Sequence, residues 1–186
     1  MKTQALFLSQ DSPSVFETRD VVQLTGIPLV VLNKFIEHKS FGLAPSVRTG
    51  KGRGSRRLFG THDLLGIALV WWLYRSGLQS RVIDEVLKDI FPWPNSFAGI
   101  SALASSAAAI VVTNLKKSDK PLFIVIDRPI ETGKKRMKKA PRQARLARKS
   151  EVQPFSESSS VHLVPVESLM WRLIEETKRF RPGWNL

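Results

Sequence analysis

The sequence predicts a mixed α+β protein, in which a largely helical first half contains a small hairpin and the second half adds strands. In the first half, apolar residues recur at helical spacing between Gly and Pro breaks. In the second half, β-branched runs of strand length precede another amphipathic segment. These patterns predict four helices and a hairpin, followed by a small module of about three strands and a terminal helix.

Two short helices are predicted on either side of a Gly-Pro turn. The first begins at Thr18, its predicted N-cap. Gly26 permits the left-handed backbone that ends a helix, and Pro28 suits the first turn of the next one. The second helix covers residues 29–39, with one apolar face that contains Leu32, Phe35 and Ile36. Two short helices joined by a tight turn are typical of a helix-turn-helix.

A loop rich in glycine and basic residues follows at residues 48–57. Its glycines permit tight turns, so that the basic side chains between them can meet phosphates. Val47 on one side and Leu58-Phe59 on the other predict the two arms of a hairpin. A solvated hairpin without a ligand is the alternative interpretation of the same composition.

Two longer helices complete the predicted first half. The third has Thr61 as its predicted N-cap and Asp63 in its first turn. The fourth has Ser80 as its predicted N-cap, and prolines at 92–94 close the unit. Its apolar stripe consists of Val82, Ile83, Val86, Leu87 and Ile90.

The second half is predicted to fold as a small α+β module. Residues 109–113 and 122–126 are predicted to form a hairpin, and residues 161–166 a further strand. A terminal helix begins at Glu167 or Ser168, and its predicted buried face contains Leu169, Met170, Leu173, Ile174 and Phe180.

Charge is distributed unevenly along the chain. The net charge of +13 and the pI near 10.5 indicate a polyanionic partner, either nucleic acid or an anionic membrane surface. Most of the excess charge lies in residues 128–149, and like charges repel. A mobile or partly helical basic arm is therefore predicted within residues 130–158.

The predicted organisation is a flexible leader at residues 1–14, a first domain at 15–91 and an assembly or sensing module at 92–186. The longest apolar run, residues 64–74, is too short to cross a bilayer, and the first residues lack a signal-peptide pattern. We therefore expect a cytoplasmic, nucleoid-associated protein without a membrane partner.

Several short motifs occur in order within residues 15–90. They are Leu24-Thr25-Gly26-Ile27, Gly42-Leu43-x-Pro45, Arg57-Leu58-Phe59-x-x-x-Asp63-Leu64 and Ser76-Gly77-Leu78. In content and spacing they resemble the winged helix-turn-helix domain of the MerR family of transcription regulators. The resemblance implies that the second helix enters the DNA major groove and that the hairpin is a wing.

The chain also departs from the family pattern. Asn33 and Lys34 stand where the family usually has Arg and Tyr, so its contact pattern does not carry over directly. The prolines at 92–94 forbid the long dimerising helix that usually follows the DNA-binding domain. Any homodimer is expected to form through the C-terminal module.

For a DNA-binding function, Asn33 is the candidate base contact because an amide pairs bidentately with adenine. Lys34 and His38 are expected to reach bases or phosphates, and Arg19 a phosphate. Arg57 has a rival role as an internal strut between hairpin and helices. The residues expected to hold the flanking backbone or minor groove are Arg48, Lys51, Arg53, Arg56 and Arg57.

The predicted function is that of a sequence-specific regulator that binds double-stranded DNA. Two alternatives stay open: an excisionase-like architectural DNA-binding factor, and an interaction or RNA-associated protein whose basic arm binds RNA or an acidic partner. An enzyme is not expected, since residues 50–54 lack the Gly-Lys-Ser/Thr ending of a phosphate-binding loop. No cofactor or metal is expected, and the absence of cysteine excludes thiolate sites and disulfides.

Overall fold

A computed structural model describes residues 15–37, 40–45, 47–48, 57–90, 103–117, 122–129, 143–148 and 159–184. Within these residues the protein is mixed α+β, with six α-helices and two three-stranded antiparallel sheets. The predicted fold class is therefore confirmed at the level of α+β.

The elements alternate along the chain between helices and short strands. The first part contains β1 (Phe16–Glu17), α1 (Thr18–Thr25), α2 (Leu29–Glu37), a 3₁₀ turn (Ser40–Gly42), β2 (Val47–Arg48), β3 (Arg57–Phe59), α3 (Thr61–Arg75) and α4 (Ser80–Ile90). The second part contains α5 (Leu103–Lys116), β4 (Leu122–Pro129), β5 (Gln143–Arg148), β6 (Ser159–Pro165) and α6 (Val166–Phe180).

The first sheet contains the hairpin that the sequence predicted. β2 and β3 are antiparallel, with Val47 opposite Leu58. β1 pairs with the other side of β3, so that the buried Phe16 lies opposite the buried Phe59. The sequence did not predict β1, because a strand of two residues shows no alternation. The sheet order β1-β3-β2 places β3 at the centre.

Carboxylates, rather than hydroxyl groups, determine where α1 and α3 begin. The backbone N–H of Glu17 donates to Asp20 Oδ2 at 2.9 Å, so Glu17 is the N-cap of α1. The N–H of Gly60 donates in the same way to Asp63 Oδ2 at 2.9 Å. Predicting Thr18 and Thr61 as N-caps was therefore wrong by one residue, because the acid three positions further on bonds back to the cap.

α4 begins at Ser80, whereas an N-cap at Ser80 would place the first helical residue at 81. The carbonyl of Gln79 accepts the first helical hydrogen bond, from Ile83 N–H at 3.0 Å, so Gln79 rather than Ser80 is the N-cap. The predicted stripe is nevertheless confirmed, since all five of its residues are buried: Val82, Ile83, Val86, Leu87 and Ile90.

Residues 109–113 are helical, and the strand predicted there was wrong. They lie within α5, which packs along α3 and buries Ala104, Ala107, Ala108, Val111, Val112 and Leu115 at helical spacing. Their β-branched side chains favour strands. Alanines in the first two turns of α5 let this helix approach α3 closely. This packing outweighs the weak local preference for a strand.

The second sheet has the order β5-β4-β6, with both pairings antiparallel. The predicted hairpin between 109–113 and 122–126 is therefore wrong. The residues predicted at 122–126 form part of β4, and most of the residues predicted at 161–166 lie in β6. In the central strand β4, Ile124 pairs with Leu146 of β5 on one side and with Val164 of β6 on the other.

Part of the predicted basic arm is folded. β5 lies inside it, with Ala144 and Ala147 buried and Arg145 exposed. The N–H of Ala144 donates to Asp89 Oδ2 of α4 at 2.8 Å. The prediction of a mobile or partly helical arm was thus wrong for residues 143–148, because this segment pairs along β4 and buries one alanine on each of its two faces. The rest of the arm lies outside the described residues.

One hydrophobic core runs through both parts of the chain. α6 contributes the buried residues Met170, Leu173, Ile174 and Thr177. The prediction that Phe180 is buried was wrong, since it is 37% exposed. The chain turns after α6 and places Trp184 in the core instead.

Candidate nucleic-acid interface

The predicted DNA-binding residues differ in how far the structure describes them. The side chains of Arg19, Asn33, Lys34 and Arg57 are described, and Arg48 is placed by its backbone, opposite Arg57 in the hairpin. The remaining predicted residues lie outside the described residues: His38, Lys51, Arg53 and Arg56.

A side-chain hydrogen bond joins the hairpin to α2. Arg57 Nη1 on β3 donates to Asn33 Oδ1 on α2, at 2.8 Å. Arg57 is exposed and Asn33 is half-buried, so the contact lies at the surface. In this contact Arg57 acts as a strut between the hairpin and the helix.

The hydrogen bond leaves Asn33 able to bind a ligand. A carboxamide has two acceptor lone pairs on its oxygen and two N–H donors. Arg57 occupies one lone pair and fixes the plane of the amide. The N–H donors and the second lone pair can still pair with a base edge, as the bidentate contact to adenine requires.

α2 has a clear inside and outside. Leu32 and Phe35 are buried and hold the helix against the core. On the opposite side lie the exposed or half-buried residues that we call the outward face: Leu29, Val30, Asn33, Lys34 and Glu37. This face carries an amide and an ammonium group beside two apolar side chains.

Leu29 and Val30 were not among the predicted site residues, although Leu29 is 50% exposed and Val30 is 79% exposed. Apolar residues in a helix are usually assigned to the core. A rotation of about 100° per residue, however, places Val30 roughly opposite the side that contains Leu32 and Phe35. Helical geometry could thus have identified Val30 as exposed.

Two side-chain hydrogen bonds and a left-handed glycine define the turn between α1 and α2. Thr25 Oγ1 donates to the carbonyl of Val21 at 2.6 Å and accepts from the N–H of Ile27 at 3.3 Å. Gly26 has a φ of 67°, a left-handed conformation that glycine adopts without strain. The Thr-Gly-Ile motif therefore fixes how α2 leaves α1.

An aromatic group supports the C-terminal end of α2. The Phe35 ring meets Phe41 edge-on at 5.2 Å between centroids and Tyr74 of α3 at 5.6 Å. Tyr74 stacks on Trp71 at 5.9 Å. Edge and stacked contacts of this kind stabilise aromatic pairs by about 0.5–1.5 kcal/mol. They hold α2 against α3, so its outward face projects from a supported helix.

Arg19 is close to two acids. Its Nε lies 3.5 Å from Glu17 Oε2 and 3.7 Å from Asp20 Oδ1, although its side chain is 83% exposed. Exposed ion pairs of this kind contribute little to stability. They reduce the positive potential at Arg19, so a phosphate there would compete with the carboxylates.

In the described parts of the chain, no three histidine or carboxylate side chains come together as a metal site. No helix in those parts is long and apolar enough to cross a membrane. The carboxylate of Glu167 joins α6 to the start of β4, since its Oε2 accepts a hydrogen bond from the N–H of Leu122 at 3.0 Å.

No protein-family model matches this chain, and a comparison with curated proteins found no match. The likeness to MerR-type domains therefore rests on the short motifs between residues 24 and 78.

Proposed function

We propose that the protein is a transcription regulator that binds double-stranded DNA sequence-specifically. α2 enters a major groove, and the hairpin β2–β3 contacts the flanking backbone. The hydrogen bond from Arg57 to Asn33 is the main support, because it couples the hairpin to the outward face of α2.

The dimensions and chemistry of α2 suit this role. A major groove about 12 Å wide admits one α-helix. The buried side of α2 is anchored by Leu32 and Phe35, which leaves the polar outward face for base edges. Asn33 and Lys34 supply the donors there.

Arg57 of the hairpin contributes a positive charge beside Asn33 of α2. β2 and β3 flank the glycine-rich loop, and Arg48 lies opposite Arg57 in their pairing. Cations beside a groove-binding helix position the protein on phosphates, whereas the helix reads the sequence. The net charge of +13 agrees with a polyanionic partner.

Selection of sites from a random duplex pool with the full chain tests this proposal. We expect an enriched motif and a loss of affinity for it of about 5- to 150-fold in Asn33→Ala, since a good base contact contributes about 1–3 kcal/mol. Affinity for unrelated duplexes should stay unchanged. Titrations followed by fluorescence anisotropy measure both quantities.

Asn114→Ala provides a matched control, because Asn114 is an amide on α5 that bonds to the carbonyl of Ile110. It should leave the selected affinity unchanged. A pool that shows no enrichment would contradict specific binding. An Asn33→Ala variant with full affinity would contradict the assigned role of α2.

Changing the basic residues outside the described parts distinguishes this function from the binding of RNA or an acidic partner. Deleting the whole arm would remove β5, which pairs with β4, and would disturb the fold. Neutralisation to Gln is therefore the better change, at Lys134, Lys135, Arg136, Lys138, Lys139 and Arg142.

In a regulator, this neutralised variant should lose affinity for all duplexes to the same extent. The slope of log affinity against log salt should become shallower, by up to about 0.9 for each lost phosphate contact. The ratio between the selected site and unrelated DNA should not change. Loss of nearly all binding, with loss of the preference for the selected site, would instead favour a protein whose basic arm binds RNA or an acidic partner.

A further inference from the structure

We propose that Val30 determines part of the sequence specificity, by contacting the C5-methyl group of a thymine in the major groove. This inference rests on the proposed function and adds a specific base contact to it. The target is a thymine close to the base that Asn33 contacts.

The exposure of Val30 is the first observation. At 79% it is the most exposed large apolar side chain among the described residues, while Leu32, two positions later, is fully buried. Valine is also a weaker helix former than most polar residues that could occupy an exposed position. Neither helix propensity nor internal packing therefore accounts for a valine there.

The position of Val30 in α2 is the second observation. The carbonyl of Pro28 accepts hydrogen bonds from the N–H groups of Val31 and Leu32, at 2.9 and 3.0 Å, so the first turn is well formed. In helix-turn-helix proteins the N-terminal residues of the second helix contact base edges. A β-branched side chain in a helix keeps one strongly preferred rotamer, which fixes its methyl groups in place.

The surroundings of Val30 indicate which partner covers it. Asn33 and Lys34 follow it by three and four residues on the outward face, and Arg57 is bonded to Asn33. Glu37 is the acid on this face, one turn beyond Asn33. A small apolar area beside an amide and cations matches a thymine methyl next to base edges and phosphates.

Substitution of single thymines by deoxyuridine tests this contact, because it removes only the C5-methyl group. With the full chain and the selected duplex, we expect a position at which this change weakens binding about fourfold, the equivalent of burying one CH₂-sized group. In Val30→Ala the same change should have little further effect. Anisotropy titrations of both proteins on both duplexes form a complete double-mutant cycle.

Leu163→Ala is the matched control, since Leu163 is an exposed apolar residue on β6, 42% exposed. It should keep the full response to deoxyuridine. Val30→Thr, which retains one methyl group, should keep part of the response.

Three results would overturn the proposal, and they are distinguishable. Binding that is specific and depends on Asn33, but responds to deoxyuridine equally with and without Val30, would exclude the methyl contact and leave the proposed function intact. Failure to select any site would exclude both. If Val30→Ala changed self-association in sedimentation without DNA but left the deoxyuridine response unaltered, Val30 would serve a contact between copies instead.

Discussion

Replacement of Trp184 by alanine is expected to lower the free energy of unfolding by about 3–5 kcal/mol, the usual range for a buried tryptophan. Trp184 is only 4% exposed and belongs to the shared core. Its indole N–H donates to Thr61 Oγ1 at 3.2 Å, at the first residue of α3. Urea denaturation followed by circular dichroism measures the loss.

The residues near Trp184 explain why we expect a global effect. Arg181 lies 3.3 Å from Asp20, the acid that caps α1, and its guanidinium lies 4.8 Å from the centre of the Phe16 ring. The segment after α6 is therefore attached to β1, α1 and α3 together. Removing the indole should shift a single cooperative transition, because these attachments share one core.

Trp171→Ala is the control, because it removes the same side chain at a more exposed position. Trp171 lies on α6 but is 39% exposed, so its removal should lower the unfolding free energy by clearly less than the removal of Trp184. Trp184→Phe should fall between the two alanine variants, since it keeps most of the apolar contact and loses the hydrogen bond to Thr61. Equal losses in Trp184→Ala and Trp171→Ala would show that Trp184 does not anchor the core.

The elements that sequence periodicity predicted well are those with a strong contrast between two sides. In α4, the residues from Val82 to Ile90 separate into a buried stripe and a charged side, and that contrast is visible in the sequence alone. In α3, by contrast, residues 63–70 are all buried, because α5 and the rest of the core surround them. The length of this apolar run predicted a helix, but the sequence did not indicate which elements cover it.

The errors at residues 109–113 and 143–148 have a common physical cause, which is packing between segments distant in sequence. Val111 and Val112 favour a strand locally and are helical because α5 lies on α3. Arg145 belongs to a charged run and is in a strand because β4 pairs with its segment. In the candidate site, the sequence indicated Asn33 and Arg57 as candidates, and the structure adds the hydrogen bond between them. The exposure of Val30 follows from helical spacing, but the sequence interpretation gave Val30 no role.

Gly66 is expected to tolerate no side chain, because α5 crosses α3 at this position. A Cβ atom there would lie 2.7 Å from the backbone nitrogen of Ser105 and 2.9 Å from the carbonyl carbon of Ala104. Both are main-chain atoms, so no rotamer change can relieve the contact. We expect a loss of about 1–3 kcal/mol of unfolding free energy in Gly66→Ala and a larger loss in Gly66→Leu.

Helix propensity alone requires the opposite result. Alanine and leucine are both better helix formers than glycine, by nearly 1 kcal/mol in a helix interior. If α3 and α5 did not pack this closely, both variants would be more stable than the native protein. Denaturant midpoints and slopes for the two variants therefore measure the α3–α5 contact directly.

Gly26→Ala separates steric contact from backbone strain. Gly26 has a φ of 67°, and a Cβ atom added there would meet no atom within 4 Å. Its substitution should therefore cost only the left-handed backbone term of about 1–2 kcal/mol, and Gly26→Asn should cost less, since asparagine visits this conformation more readily. At Gly66, where backbone strain is absent, a loss that grows from alanine to leucine can arise only from the approach of α5. A stabilised Gly66→Ala would refute that close packing.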